Sequence, residues 1–414
     1  MARDRNQPDD SIGRRTFLGG TLGVVAAGAF SGYLRRSSDV YTNETTPVLG
    51  AGLNGRPRRL SDDLSLLEAS ETTWVRAFVD VREKRMAGVD PVDDPDIVAL
   101  REAAHRKGCN LVVSLKWDFA GNWGRKPETR VPATNSAREM ALFDSAVRYL
   151  EAIDVPVDAL VLGNEPLWET LDADLRGTDP PIVRFTRRLK DHLAEHYEGD
   201  PTFLVGAFNR LDDALLRDYR YPAFHERLFG LIRTDDDVAG ADLHVHYDDI
   251  AAAKRMLAVA RSRCPDAVLT ATEISPVWRY DRNKDVPMDR SDAGERFAAA
   301  FGVAPGTTTV EYVEAAKDDP LSHDEMANFV AAMPWYNEHH VADVYDLLDE
   351  YGVSVGCFGF LQGVEMRAED WTTDWTPFHL NFLFQRALMD GSGAHPYYLA
   401  DYRRRTGDSS TTLE

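Results

Sequence analysis

A chain of 414 residues with 43% hydrophobic content can bury a large core, as one big barrel or two ordinary domains. Its formal charge of −21, from 47 Lys and Arg against 68 Asp and Glu, opposes binding to nucleic acid or to an anionic membrane surface. Three cysteines, Cys109, Cys264 and Cys357, are too few for a disulfide framework and form no C-x-x-C metal pair, so core packing is their expected role.

Near the N-terminus, Ser11-Ile12-Gly13-Arg14-Arg15-Thr16-Phe17-Leu18 precedes a weakly apolar, Gly- and Ala-rich stretch that runs to Leu34. The arrangement resembles a twin-arginine export signal, which implies the twin-arginine machinery as a partner. The implied location is extracellular, or anchored to the outer face of the membrane if the segment is retained. A membrane anchor is the competing reading, although the glycines make a poor helix in lipid. Residues 1–36 are read as the signal segment, 37–46 as a linker, 47–405 as one barrel domain and 406–414 as a disordered tail. Asn43-Glu44-Thr45 in the linker is a formal glycosylation sequon, a weak signal at this length. Arg far exceeds Lys and Asp exceeds Glu, a balance that resembles proteins of salt-loving archaea and equally suits a well-solvated acidic surface.

After the linker, apolar runs alternate with helical stretches, the pattern of a parallel sheet with helical crossovers. Eight strands are expected: Val48–Leu53, Trp74–Val79, Asn110–Leu115, Ala159–Gly163, Phe203–Phe208, Ala241–Tyr247, Val268–Glu273 and Val353–Phe360. Between them, Pro95–Lys107 carries Ile97, Val98, Leu100 and Ala104 at helical spacing and closes on Gly108. Ser136–Ile153 opens with a Ser-x-x-Glu capping box, Pro181–Tyr197 opens with Pro, and Asp249–Cys264 ends before one. The fold class is therefore α/β, a single (β/α)8 TIM barrel. No Gly-rich phosphate fingerprint follows any strand, which speaks against a nucleotide fold. Residues 281–324, polar and weakly periodic, read as an extended loop insertion after the seventh strand, a lid or cleft wall.

Two strand ends carry chemistry. Val157-Asp158-Ala159-Leu160-Val161-Leu162-Gly163 stops at Asn164-Glu165-Pro166, and Ala267-Val268-Leu269-Thr270-Ala271-Thr272 stops at Glu273. The C-terminal ends of barrel strands are where such folds hold their reacting groups. With these residues, Arg76 and a His-Tyr strand end, the chain resembles retaining glycoside hydrolases of the (β/α)8 clan with glutamates on strands four and seven, closest to the cellulase- and mannanase-type family 5. The resemblance spans most of the chain after about residue 45. It implies Glu165 as general acid/base and Glu273 as nucleophile, about 5 to 5.5 Å apart, acting on a β-linked poly- or oligosaccharide without a cofactor. It also implies Asn164 on the sugar 2-hydroxyl and Arg76 beside Glu273, favouring its ionised form. A structural bridge from Arg76 to Asp80 or another acid is the bland alternative for that arginine.

The sixth strand, Asp242-Leu243-His244-Val245-His246-Tyr247, departs from the family's His-x-Tyr. His244 and His246 share a face and Tyr247 takes the other. Either the strand ends before Tyr247, which then turns inward to the nucleophile, or His246 takes that place. The same pair can chelate a metal, which opens a metal-dependent hydrolase centred on His244, His246 and Glu273, although the metal assignment stays at none. Trp117, Trp123, Trp168 and Trp278 follow strands on the catalytic side and are candidate sugar-stacking platforms, whereas Trp74 lies within a strand and reads as core. The family's Trp at the end of strand eight is replaced by Cys357-Phe358-Gly359-Phe360-Leu361-Gln362-Gly363, so Gln362, Glu365, Trp371 and Trp375 are alternatives there. These departures keep open a barrel that binds polysaccharide without cleaving it.

Overall fold

The computed structural model describes residues 46–54, 70–122, 126–213, 222–316, 318–333, 335–362 and 398–409. The export signal, the linker up to residue 45, Trp123, Glu365, Trp371, Trp375 and the side chain of Gln362 lie outside the described residues. The eight strands are β1 (Val48–Asn54), β2 (Trp74–Asp80), β3 (Asn110–Lys116), β4 (Ala159–Val161), β5 (Thr202–Phe208), β6 (Val238–His246), β7 (Val268–Ser275) and β8 (Val355–Gln362). They close into a barrel in chain order, and every pairing, including β1 with β8, is parallel. This is the α/β barrel expected from the alternation of apolar runs and helices.

Alternation along each strand sorts side chains into two layers. Trp74, Val112, Ala159, Val161, Leu204, Val268, Val355 and Cys357 form one buried cluster and plug the barrel interior. Leu49, Ala51, Val75, Ala77, Leu111, Val113, Leu160, Val205, Leu243, Leu269 and Ala271 belong to a second, much larger cluster that includes the surrounding helices. Cys264 and Cys357 are buried and Cys109 is half-buried against the core, all three free thiols.

The helices start and stop where local chemistry dictates. Asp94 caps Pro95–Lys107 by accepting from the Asp96 and Ile97 amides, and Gly108 ends it at φ 69°, a conformation glycine adopts without strain. Ser136 caps Ala137–Ile153 through the Glu139 amide, while Glu139 accepts from Asn135 N at 2.7 Å and so reaches one residue beyond the expected box.

Two readings need correction. Residues 281–324 are built largely of short helices: the stretch from Val277 to Ala332 contains Val277–Asn283, Asp292–Phe301, Thr309–Ala315 and His323–Ala332. Caps at Ser291, Thr308 and Ser322 start the last three of these, and Phe297, Tyr312 and Phe329 meet with ring centroids 5.0–6.0 Å apart. Each helix spans only two or three turns, too few for its periodicity to stand out from the sequence. The tail also extends less far than expected, because the helix Tyr398–Ser409 covers residues 406–409. Its Tyr402 hydroxyl is 2.9 Å from Thr72 Oγ1, and Thr406 Oγ1 donates to Ser70 O at 3.2 Å, which ties this helix to the chain entering β2.

Candidate active site

The Asn164-Glu165 corner is held against β5. Leu162 N donates to Leu204 O at 2.9 Å and Ala207 N to Asn164 O at 2.7 Å. Between them Gly163 runs so close to its neighbour that a Cβ would lie 2.5 Å from Gly206 O, which no side chain allows. Pro166 then opens a short helix, Pro166–Glu169, leaving Glu165 at the corner with φ −135° and ψ 75°. The Glu165 carboxylate turns into the barrel, where Oε1 lies 3.0 Å from His244 Nδ1 and accepts from Asn209 Nδ2 at 3.2 Å.

Glu273 reaches the same spot by breaking the rule of alternation. Thr270 pairs with Asp242 and Ala271 with Leu243, but Glu273 pairs with His244, leaving Thr272 without a counterpart on β6. The β8 pairing shows the same extra residue, with Ala271 opposite Gly356 and Ile274 opposite Phe358. Thr272 and Glu273 therefore both face inward across a β-bulge. In a regular strand Glu273 would share the outer face of Leu269 and Ala271 and miss the site.

Arg76, fully buried on β2, draws three strands together. Its Nε donates to Ser114 Oγ at 3.1 Å, its Nη2 to Asn164 Oδ1 at 2.6 Å and its Nη1 to Glu273 Oε1 in a short ion pair. Asp80 is engaged elsewhere: it accepts from Glu83 N and pairs with Lys126, so the alternative Arg76–Asp80 bridge does not form. Asn164 has its amide between Arg76 and Glu169, whose Oε1 accepts from Asn164 Nδ2 at 2.8 Å. These two bonds fix the orientation of its amide beside Glu165.

His244 Nδ1 stands 3.0 Å from Glu165 and 3.5 Å from Glu273 Oε2, so both carboxylates converge on one ring nitrogen. Burial alone would push all three groups toward their neutral forms, yet mutual attraction prevails. The charges of His244 and Arg76, with His246 Nε2 3.4 Å away, hold the Glu273 carboxyl well below the usual carboxylate range. The His244 hydrogen bond and charge lower Glu165 despite its burial, and the two carboxylates in turn raise His244.

Of the two possibilities for the end of β6, His246 is the one that meets Glu273. Tyr247 points outward, buried among helices, with its hydroxyl 3.1 Å from His340 Nδ1. The regular alternation of β6 from Gly240 to His246 is the reason. Trp117 is likewise no platform: it is buried, its indole N–H donates to Leu162 O at 3.2 Å, and its ring packs edge-on against Phe185. Trp168 is half-buried against the core. Trp278 is half-buried, its ring under the Arg210 guanidinium at 5.4 Å, and its indole N–H has no acceptor among the described residues.

Sequence reasoning passed over Asn209, Glu169 and Asp242. Asn209 follows β5, and its buried Oδ1 has no partner among the described residues, which leaves an acceptor beside Glu165. Glu169 is buried behind Asn164, 3.5 Å from Lys116 Nζ, and its carboxyl is raised by burial. The only sequence signal for Glu169 was its place one helical turn after Glu165.

His244, His246 and Glu273 offer ligand atoms within 4.8 Å of one another. Their fit to a metal is poor on electrostatic grounds, because the Arg76 guanidinium already bonds Glu273 and stands 3.3 Å from His244 Nε2. A divalent ion there would face a fixed positive charge at contact distance.

The sequence matches no protein-family model and no curated protein. Similar solved structures include a family 39 glycoside hydrolase from the gut symbiont Bacteroides cellulosilyticus WH2, at 10% identity and TM-score 0.44, covering 78% of this chain and 58% of that one. A GH113 β-mannanase from Alicyclobacillus acidocaldarius is 15% identical, with TM-score 0.37 and coverage of 96% and 98%. The carboxyl transferase domain of Rhizobium etli pyruvate carboxylase is 11% identical, with TM-score 0.39 and coverage of 94% and 52%. The chain spans about three fifths of the length of the first structures it matches. At these scores the likeness decides nothing about activity. The fold rests on the closed barrel itself.

Proposed function

We propose that the protein is a retaining glycosidase that cleaves β-linked poly- or oligosaccharides by double displacement. The observation that carries this reading is the convergence of two buried carboxylates, one after β4 and one on a bulge of β7, on a single imidazole nitrogen, 3.0 and 3.5 Å away. Retention needs such a pair about 5 to 5.5 Å apart, one to protonate the leaving oxygen and one to attack the anomeric carbon from the opposite face. Glu273, kept ionised by Arg76, attacks and forms a glycosyl ester. Glu165 draws a proton from His244 Nδ1 and passes it to the departing oxygen, which leaves the carboxylate ionised and the imidazole neutral. In the second half, the Glu165 carboxylate takes a proton from water, whose oxygen displaces Glu273 from the anomeric carbon, and hands that proton back to His244, which restores the starting state. Asn209, Trp168 and Trp278 border the pair or follow its strands and supply the sugar contacts. The family 5-like subsite pattern, export by the twin-arginine route and an endo mode of attack belong to the same proposal.

A metal-dependent hydrolase centred on His244, His246 and Glu273 is the competing reading, and the Arg76 charge stands against it. One experiment separates the two: reducing-end release from β-glucan, mannan and xylan, with and without a chelator. Cleavage that survives chelation supports the glycosidase, whereas loss on chelation and recovery with zinc supports the metal enzyme. An inert protein that still binds one of the polymers overturns both in favour of a binding barrel.

A further inference from the structure

We propose that Asp242 is a positioning residue for Glu273, holding the β7 bulge that turns this glutamate into the barrel. Asp242 faces the interior from β6 and is fully buried. Its Oδ1 accepts from Thr270 Oγ1 at 2.7 Å and from the backbone Thr272 N at 3.2 Å, and its Oδ2 accepts from Thr272 Oγ1 at 2.7 Å. Thr272 is the residue with no counterpart on β6. A bulge displaces an amide from the regular ladder, and a buried amide so displaced needs another acceptor. The β8 neighbours facing the interior on the other side are Val355 and Cys357, so the carboxylate of Asp242 is the acceptor provided. Its grip on the Thr272 hydroxyl keeps that side chain inward, and the strand must then bend to bring Glu273 opposite His244.

Burial raises the Asp242 carboxyl, against the pull of His244, the Thr272 hydrogen bond and Arg76. An apolar residue would fill the space at less cost, and what it would lack is the acceptor for the bulged amide. The kinetic side of this inference rests on the glycosidase reading, and the crystallographic side does not.

The test compares Asp242→Asn and Asp242→Ala by crystallography and by kcat and KM across pH. Asparagine keeps an acceptor oxygen for Thr272 N, so Glu273 stays on Arg76 and kcat stays within about threefold of wild type. Alanine releases the bulge and withdraws Glu273 from Arg76, lowering kcat by about a hundredfold or more while KM changes little, as expected for a displaced reacting group. The acid limb of its pH profile also moves up, because Glu273 loses its cation. An alanine variant with Glu273 unmoved and kcat near wild type overturns the proposal. If the alanine variant does not fold, the asparagine structure decides: an amide oxygen turned away from Thr272 N with Glu273 still on Arg76 overturns it. If wild type cleaves no glycoside, the functional reading fails, and the position of Glu273 in the two crystal structures still judges Asp242.

Discussion

A guanidinium enclosed by a barrel is tolerated only when its N–H groups find acceptors, and Arg76 finds Ser114, Asn164 and Glu273. Arg76→Met leaves Glu273 a buried charge without its cation, so the acid limb of the pH–rate profile is expected to move up by about 1–3 units. The sign for stability follows from the same shift. Glu273 is held below its unfolded value, so the ion pair stabilises the fold above the ordinary carboxylate range and loses that contribution as pH falls through the folded value. The gap in urea midpoint between wild type and Arg76→Met should therefore be full at pH 7 and narrower at pH 3, with the remainder lost only in stronger acid; an equal gap at pH 7 and pH 3 contradicts the pairing. His244 runs the other way. Its raised pKa adds stability that is complete below about pH 6.5 and lost as pH rises through the folded value. His244→Gln should accordingly cost more stability at pH 6 than at pH 9, measured by the same midpoints.

At the scale of elements, all eight strands were legible because each is a short apolar run between turn signals. Their ends were not. The pattern of β7 up to Thr272 assigns Glu273 to the outer face, and only the register against β6 and β8 shows the bulge that reverses it. On β6, by contrast, the alternation that placed His244 and His246 together holds to the end, and it is Tyr247 that defeats the family analogy. Trp117 misled for a related reason: its position after a strand says nothing of the turn that sends its ring back toward Phe185. The helical insertion escaped notice because each of its helices spans only two or three turns. Phe329→Ala, which removes a ring packed against Phe297 and Tyr312, should destabilise by about 3–5 kcal/mol in chemical denaturation. A cost below 1 kcal/mol would mean that the insertion has no packed core of its own.

The whole molecule carries a formal charge of −21, and self-repulsion at that level opposes the compact state until salt screens it. Melting temperature should rise between 0.05 and about 1 M NaCl, where the screening length falls to about 3 Å; a flat or falling curve would argue that the acidic surface is already balanced by local pairs. The barrel closes regardless of this charge, since its two buried layers are apolar apart from the polar cluster around Arg76. That cluster is where the fold and the proposed chemistry meet. The most direct measurement is covalent trapping with a 2-deoxy-2-fluoro β-glycoside of the cleaved sugar, followed by mass spectrometry of the labelled peptide. One sugar per chain, esterified to Glu273 and not formed in Glu273→Ala, is the expected result. A label on another carboxylate, or turnover with inversion and no trapped intermediate, would contradict the assignment.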